Sequence, residues 1–271
     1  MEKRDLRACL GKEWLYCDGG TGSLLQEKGL KGGELPERWN LERPEDVIEI
    51  AESYFRAGAD IVNTNTFGAN RLHYADSAEL EQIVRAGVRH VKTGLRRSGR
   101  TDGFVALDLG PTGRLLKPMG DLAFEDCVAI FAEAVRWGKE EGADLVLIET
   151  MSDAMEAKAA VLAAKENSEL PVFVTTVFDE KGKMLTGGTV ESVTAMLEGL
   201  RVDALGVNCG LGPLQLYPIV KQLREVCSLP IIVNPNAGLP HAKDGVTYYD
   251  LGAEEFAAEM KKIAELGVHV L

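Results

Sequence analysis

A short motif recurs along the chain and constrains its fold more than any other feature. The segments AGADIV (Ala57–Val62) and EGADLV (Glu141–Val146) each follow an amphipathic stretch. Glycine is the usual residue just after a helix, because it adopts the left-handed conformation without steric cost. We therefore predict that Gly58 and Gly142 end helices. The apolar β-branched run after each glycine is predicted to be a buried strand of a parallel sheet built from βαβ units.

Strands of this kind can be traced along the whole chain, at intervals of roughly 30–45 residues, which is the span of one βα unit. We expect eight of them, ending near the following residues: Asp18, Asn65, Asp108, Glu149, Thr176, Cys209, Asn236 and Leu271. Helices are predicted between the strands, over residues 44–57, 121–141 and 153–167 among others. Thr150 and Ser152 are expected to cap the last of these helices.

The domain organisation follows from the absence of any division along the sequence. No linker, low-complexity tract or break in composition interrupts the 271 residues. We therefore predict one domain over residues 1–271, an α/β protein with a (β/α)8 TIM barrel fold that lacks its last loop and helix. An open doubly wound sheet is the alternative architecture, but no GxGxxG sequence follows the first strand, as a dinucleotide-binding sheet would require.

Composition excludes several classes of function. The net charge of −12 argues against unaided binding of nucleic acid or of an anionic membrane, since both need basic patches. No apolar run approaches the roughly 18 residues of a transmembrane helix. The first residues are charged where a signal peptide would be apolar, and the five cysteines form no CxxC pair. We expect a cytoplasmic protein without structural disulfides.

Polar residues stand where the predicted strands end, and in barrels of this type the chemistry lies at that end. They are Asp18, Asn65, Asp108, Glu149, Cys209 and Asn236. No lysine ends a strand, which disfavours a Schiff-base aldolase. A phosphate-handling barrel is a further alternative, but it would need a glycine-rich anion site after the last two strands, for which only NAGLP is a weak candidate.

Each of these residues also has a structural interpretation. Asp18 and Asp108 precede glycine-rich turns, where aspartate commonly forms turns or caps helices. Asn236 fits a simple turn, and Cys209 fits a buried thiol that packs as a small apolar side chain. Glu149 is the strongest candidate for function. A carboxylate after the apolar run VLI should be partly buried, which is costly without a cationic partner such as a substrate ammonium group.

Seven motifs, in order, resemble the homocysteine S-methyltransferase family, most closely its cobalamin-dependent branch. They are DGGTGSLLQEKG, ELPERWNLERPEDV, GADIVNTNTFGANR, DLGPTG, ETMSD, ALGVNCGLGP and PNAGLP. The resemblance runs from about Trp14 to Leu271. It implies a methyltransferase that activates homocysteine as a zinc-bound thiolate and methylates it to methionine. Methylcobalamin carried by another domain or protein is the expected donor, with S-methylmethionine or betaine as the alternative.

The resemblance also implies roles for individual residues. Cys209 matches the first of three cysteines whose thiolates hold the zinc ion in this family. Asp18 and Glu149 match the acids that hold the ammonium group of homocysteine. The backbone amides near Gly19 and Thr64 match those that bind its carboxylate. These assignments place the substrate across the mouth of the predicted barrel.

The chain departs from the family pattern at the metal. Asn236 matches an asparagine close to the zinc ion, but the family continues past the last strand into a Gly-Gly-Cys-Cys segment and a helix. Two further zinc cysteines are therefore expected beyond Leu271, in a longer polypeptide of which this chain is the N-terminal part. We predict that these residues alone bind zinc weakly and are inactive. A non-catalytic barrel that serves binding or assembly is the alternative from another class.

Overall fold

The computed structural model describes residues 4–238, 240–243, 246–249 and 251–271. Six parallel strands form a sheet in chain order: β1 (Ile61–Asn63), β2 (Phe104–Leu109), β3 (Leu145–Met151), β4 (Val172–Thr176), β5 (Ala204–Asn208) and β6 (Ile231–Asn234). Helices alternate with these strands. They are α1 (Leu6–Cys9), α2 (Thr21–Glu27), α3 (Trp39–Glu42), α4 (Pro44–Ala57), α5 (Ser77–Ser98), α6 (Phe124–Glu140), α7 (Ala154–Asn167), α8 (Val190–Gly199), α9 (Pro213–Val226) and α10 (Ala253–Glu265).

Two short extended segments close this sheet into a ring. Leu15 and Val270 form a parallel bridge with each other, while Cys17 bridges β1 and Val270 bridges β6. Residues 15–17 and 269–271 therefore occupy the first and eighth strand positions, between β6 and β1. The barrel predicted from the sequence is confirmed. The alternative, an open doubly wound sheet, is wrong because these two segments pair with β1, with β6 and with each other, and so join the two edges of the described sheet.

Apolar side chains fill both sides of the ring. Those inside it include Phe104, Leu147, Phe173 and Ile232, all almost fully buried. A larger apolar cluster separates the outer face of the strands from the helices. Strands buried on both faces read as continuous apolar runs, which explains why the sequence pattern indicated a parallel sheet. Each large side chain removed from water contributes roughly 1.5–3 kcal/mol to the free energy of unfolding.

The helix boundaries follow the capping signals in the sequence. Helix α4 begins at Pro44 and ends before Gly58, whose φ of 109° lies in the left-handed region. Gly142, with φ of 85°, follows α6 in the same way. Both predictions for these glycines are confirmed. Helix α6 begins at Phe124, later than the predicted residue 121, because Leu122 still pairs with Leu116 in a bridge of the preceding loop.

The start of α7 differs from the prediction. The side chain of Asp153 caps this helix and accepts a hydrogen bond from the amide of Met155 at 2.8 Å. The prediction of Thr150 and Ser152 as caps is therefore wrong. Asp153 stands directly before the first helical residue, where a side-chain oxygen reaches the first free amides, and Thr150 lies within β3.

An antiparallel hairpin that the sequence analysis did not predict follows β6. Its strands are β7 (Pro240–Lys243) and β8 (Val246–Tyr249), with Pro240 opposite Tyr249. The hairpin falls in the connection between the seventh strand position and α10, at the same end of the barrel as the polar strand ends. Among the helices of the described ranges, none is long and apolar enough to cross a membrane.

Candidate functional site

The carboxyl ends of the strands surround a cavity of about 1040 Å³. It covers the barrel mouth and continues outward between α4 and α10, past Trp14 and Phe256. The residues predicted from the sequence that line it are Asp18, Gly19, Thr64, Asn65, Asp108, Glu149, Cys209 and Asn236. The structure thus brings all of these residues to one cavity, while their individual roles stay predictions.

Parallel strands bring the acidic residues together. The apolar body of β2 ends with Asp108, and that of β3 carries Glu149. Because parallel strands end at the same edge, both carboxyl groups face the mouth of the barrel. Asp18 follows the first strand position, and its Oδ2 accepts a hydrogen bond from the amide of Asn63 at 2.9 Å. The three acids therefore come from three separate strand positions.

Burial dominates the electrostatics of these acids. Desolvation raises the pKa of Asp18 to about 8, although the hydrogen bond from Asn63 acts in the opposite direction. It raises the pKa of Glu149 to about 7. The pKa of Asp108 lies well above its ordinary range because of burial first and then the neighbouring acids. None of the three carboxyl groups forms an ion pair with a side chain in the described part of the chain.

Cys209 lies at the end of β5 with its thiol in the cavity. Its φ of 51° is in the left-handed region, which is uncommon for a residue with a side chain. The amide Nδ2 of Asn208 lies 3.4 Å from the Cys209 sulfur. Burial, and to a smaller extent the neighbouring Glu149, raises the pKa of this thiol to about 11. Near neutral pH the thiol is therefore protonated, so Cys209 by itself is a poor nucleophile.

Asn208 and Thr150 were missed by the sequence analysis, although they join two sides of the site. The pairing of β3 with β4 shifts register between Ile148 and Met151, and Thr150 within that bulge has φ of 61°. The side-chain amide of Asn208 accepts a hydrogen bond from the Thr150 amide at 3.0 Å and donates to its hydroxyl at 2.8 Å. These contacts hold the bulge that contains Glu149 beside the turn that contains Cys209.

Cys17 and Tyr54 also line the cavity and were not predicted to do so. Burial raises the pKa of Tyr54 to about 12. Its hydroxyl lies so close to Gly19 that a Cβ there would be 3.0 Å from the oxygen. Burial also raises the pKa of Cys17 far above its ordinary value. Tyr54 reaches the cavity from α4 and Cys17 from the segment paired with β1, so only the folded arrangement, and no local signal in the sequence, identifies them.

The backbone near Gly19 and Thr64 differs in what it offers a ligand. The amide of Thr64 donates to the carbonyl of Ala106 at 2.9 Å, within the sheet. That amide is therefore already used. The segment of residues 19–22, which leads into α2, lines the cavity and contains three glycines, so no Cβ separates their backbone from the cavity. Asn236 lines the cavity too, and its backbone forms a turn that Gly238 closes at 2.8 Å.

The described residues do not fit a zinc ion on their own. Among them, no group of three histidine, cysteine, aspartate or glutamate side chains is arranged to hold a metal. Catalytic zinc sites use three protein ligands and leave the fourth position to substrate or water. Cys209 supplies one thiol at the cavity, so any zinc ion here would need ligands from elsewhere.

Known proteins resemble this chain over nearly its whole length. The model of the homocysteine S-methyltransferase family matches residues 15–271. The methionine synthases of Mycobacterium leprae and Mycobacterium tuberculosis are each 31% identical to this chain. Each alignment covers 98% of this chain and 24% of the relative's length. The chain therefore corresponds to about a quarter of these relatives.

Solved structures agree in fold. The homocysteine methyltransferase MmuM from Escherichia coli, in its oxidised form, superposes on this chain with a TM-score of 0.83 at 22% sequence identity. The superposition covers 99% of this chain and 94% of the MmuM chain. The metallated form gives the same TM-score and identity, over 98% and 93% of the two chains. The match of the family model over residues 15–271 shows that this chain belongs to the homocysteine S-methyltransferase family.

Proposed function

We propose that this chain is the homocysteine-binding barrel of an enzyme that methylates homocysteine to methionine. The observation that carries the proposal is the placement of Asp18 and Glu149 at one cavity without a cationic partner among the described residues. Two half-buried acids in this arrangement are costly unless a cation binds between them. An amino acid substrate supplies that cation as its ammonium group.

The negatively charged carboxylate of an amino acid substrate needs hydrogen-bond donors. The glycine-rich segment of residues 19–22 borders the cavity directly after Asp18 and leads into α2. No side chain caps the start of this helix, and backbone amides are good donors to a carboxylate. We therefore place the substrate carboxylate against this segment, with the ammonium group against Asp18 and Glu149. This orientation leaves the sulfur end of homocysteine to extend toward Cys209 and Asn236.

The contribution of this chain at the sulfur end is the half-buried thiol of Cys209. Zinc, when bound by an enzyme of this kind, holds a substrate thiol in its thiolate form. The described residues supply one zinc ligand, Cys209, so the metal site is incomplete without ligands from other residues. What the chain itself does is to fix Cys209 beside Glu149 through Asn208 and Thr150.

The methyl donor is proposed to be methylcobalamin carried by a separate domain or protein. This choice is supported by the similarity to methionine synthases, of which the chain spans 24%. A small sulfonium or ammonium donor is the second candidate. It is favoured by Phe67, which is 39% exposed and lines the cavity, because an aromatic face binds such cations.

Binding of L-homocysteine tests the proposal without requiring turnover. Calorimetric titration of the chain should show one saturable site. Asp18→Asn and Glu149→Gln should each weaken binding by at least about tenfold, since each removes a charge partner of the ammonium group. Asp121→Asn is the matched control, because Asp121 lies in an exposed loop and pairs with Arg114.

Two results would contradict the proposal. One is the lack of saturable L-homocysteine binding by a chain whose circular dichroism shows it to be folded. The other is binding that Asp18→Asn and Glu149→Gln change no more than Asp121→Asn does.

A further inference from the structure

Asp108 is a buried acid at the barrel mouth to which the proposed function assigns no role. Only 5% of its surface is exposed, and it lines the cavity beside Glu149 and Asp18. Its Oδ1 is buried without a hydrogen-bond partner among the described residues. An unpaired buried carboxyl oxygen costs free energy, so its position calls for a ligand that pairs with it.

Other buried acids of this protein are paired, which sets Asp108 apart. Glu156 accepts hydrogen bonds from the amide and the hydroxyl of Thr112 at 2.7 and 2.6 Å. Glu37 accepts from the amide of Gly68 at 2.7 Å. These two acids connect segments of the fold and have their partners within it. For Oδ1 of Asp108, the described residues supply no such partner.

The backbone of Asp108 is held firmly in place. Its amide donates to the hydroxyl of Thr64 at 3.1 Å, and its carbonyl accepts from the hydroxyl of Thr66 at 2.7 Å. The two hydroxyl groups contact each other at 2.6 Å. This network fixes the main chain on both sides of the residue, so the carboxyl group is presented to the cavity from a rigid support.

We propose that Asp108 is a third ligand of the substrate ammonium group, together with Asp18 and Glu149. An ammonium group has three N–H donors, and three carboxyl groups at the mouth supply one acceptor for each. Three full negative charges around one positive charge would be unfavourable, so at least one acid keeps its proton and accepts through its carbonyl oxygen. This inference rests on the proposed function and makes Asp108 a determinant of specificity for an α-amino group.

The test compares two ligands that differ only in the amino group. L-Homocysteine and its analogue without that group, 4-sulfanylbutanoate, are titrated calorimetrically in the presence of a phosphine reductant. In Asp108→Leu, which has no acceptor whether or not Asp108 is ionised, we expect affinity for L-homocysteine to fall by about tenfold or more, and affinity for 4-sulfanylbutanoate to be unchanged or higher. Asp108→Ala should lose the same preference. Thermal unfolding of each variant checks that the fold is retained.

The outcomes separate the inference from the proposed function. If the unmodified chain binds L-homocysteine and Asp18→Asn weakens it, but Asp108→Leu keeps the full preference over 4-sulfanylbutanoate, Asp108 is not a ligand and the function stands. Equal weakening of both ligands by Asp108→Leu also overturns the inference, because that result means a general loss of the pocket. If the unmodified chain binds no L-homocysteine, both proposals fail together.

Discussion

The side-chain amide of Asn208 holds Thr150 at two points, accepting from its backbone amide at 3.0 Å and donating to its hydroxyl at 2.8 Å. Glu149 precedes Thr150, and Cys209 follows Asn208. The contact therefore joins the proposed ammonium site to the thiol at the sulfur end. Both Thr150 and Cys209 have positive φ, a conformation that side-chain-bearing residues keep only where the surroundings impose it.

Asn208→Ala removes both contacts and should affect stability and binding together. The free energy of unfolding should fall by about 1–3 kcal/mol, because the amide of Thr150 loses its buried partner. L-Homocysteine affinity should fall as well, since the bulge that carries Glu149 is released. Asn167→Ala is the matched control, because Asn167 is the last residue of α7 and does not line the cavity, and it should leave affinity unchanged. Unchanged affinity in Asn208→Ala would show that Asn208 does not position the site.

The ionisation of Asp18 should make stability depend on pH. Its folded-state pKa is about 8, whereas an unfolded aspartate titrates near about 3.9. Between these values the folded chain keeps a proton that the unfolded chain has released, so the free energy of unfolding falls as pH rises. From pH 6 to pH 8 we expect Asp18 to contribute a loss on the order of 1–2 kcal/mol.

Urea denaturation at both pH values measures this effect. Asp18→Asn should show a smaller loss of stability between pH 6 and pH 8 than the unmodified chain. Asp121→Asn should not, because the Arg114 guanidinium lowers the pKa of Asp121 and keeps that group ionised throughout this range. The same pH dependence in the unmodified chain and in Asp18→Asn would refute the raised pKa.

The sequence predicted features that depend on neighbouring residues better than contacts between residues far apart in the sequence. The strand ends at Asp108 and Glu149 were found because apolar runs and turn residues are local signals. The Asn208–Thr150 contact joins the ends of β3 and β5, which lie on either side of β4 in the sheet, across 58 residues of sequence, so nothing local identifies it. The hairpin of β7 and β8 was missed for a related reason, since the run VTYY is too short to stand out from a loop.

The sequence likewise predicted some residues of the candidate site but not the position of others. Asp18, Glu149 and Cys209 came from matching motifs, and the structure places all three at one cavity. The special position of Asp108 was not evident, because an unpartnered oxygen is visible only when the whole neighbourhood is known. The assignment of the helix cap to Thr150 failed because Asp153, three residues later, stands closer to the first turn.

Zinc binding by the chain alone should be weak. One thiol does not provide the three protein ligands of a catalytic zinc site, and burial raises the pKa of Cys209 to about 11. A calorimetric titration with zinc chloride near neutral pH should show no tight one-to-one uptake, and Cys209→Ala should give the same trace. Tight stoichiometric binding that Cys209→Ala abolishes would mean that further ligands exist within these residues.

Gly110 should be required for the position of Phe67 at the mouth of the cavity. A Cβ at Gly110 would lie 2.5 Å from the Phe67 ring. Gly110→Ala should therefore displace the ring and lower the free energy of unfolding by about 1–3 kcal/mol. Gly199→Ala is the matched control, because a Cβ there meets nothing within 4 Å. Equal denaturation midpoints for the two variants would contradict the close packing of Phe67 on Gly110.

A crystal structure of the chain with L-homocysteine tests the central claim most directly. We expect the substrate nitrogen within about 3 Å of carboxyl oxygens of Asp18 and Glu149, and the sulfur directed toward Cys209. A substrate whose ammonium group faces solvent, or whose sulfur lies among the acids, would contradict the account.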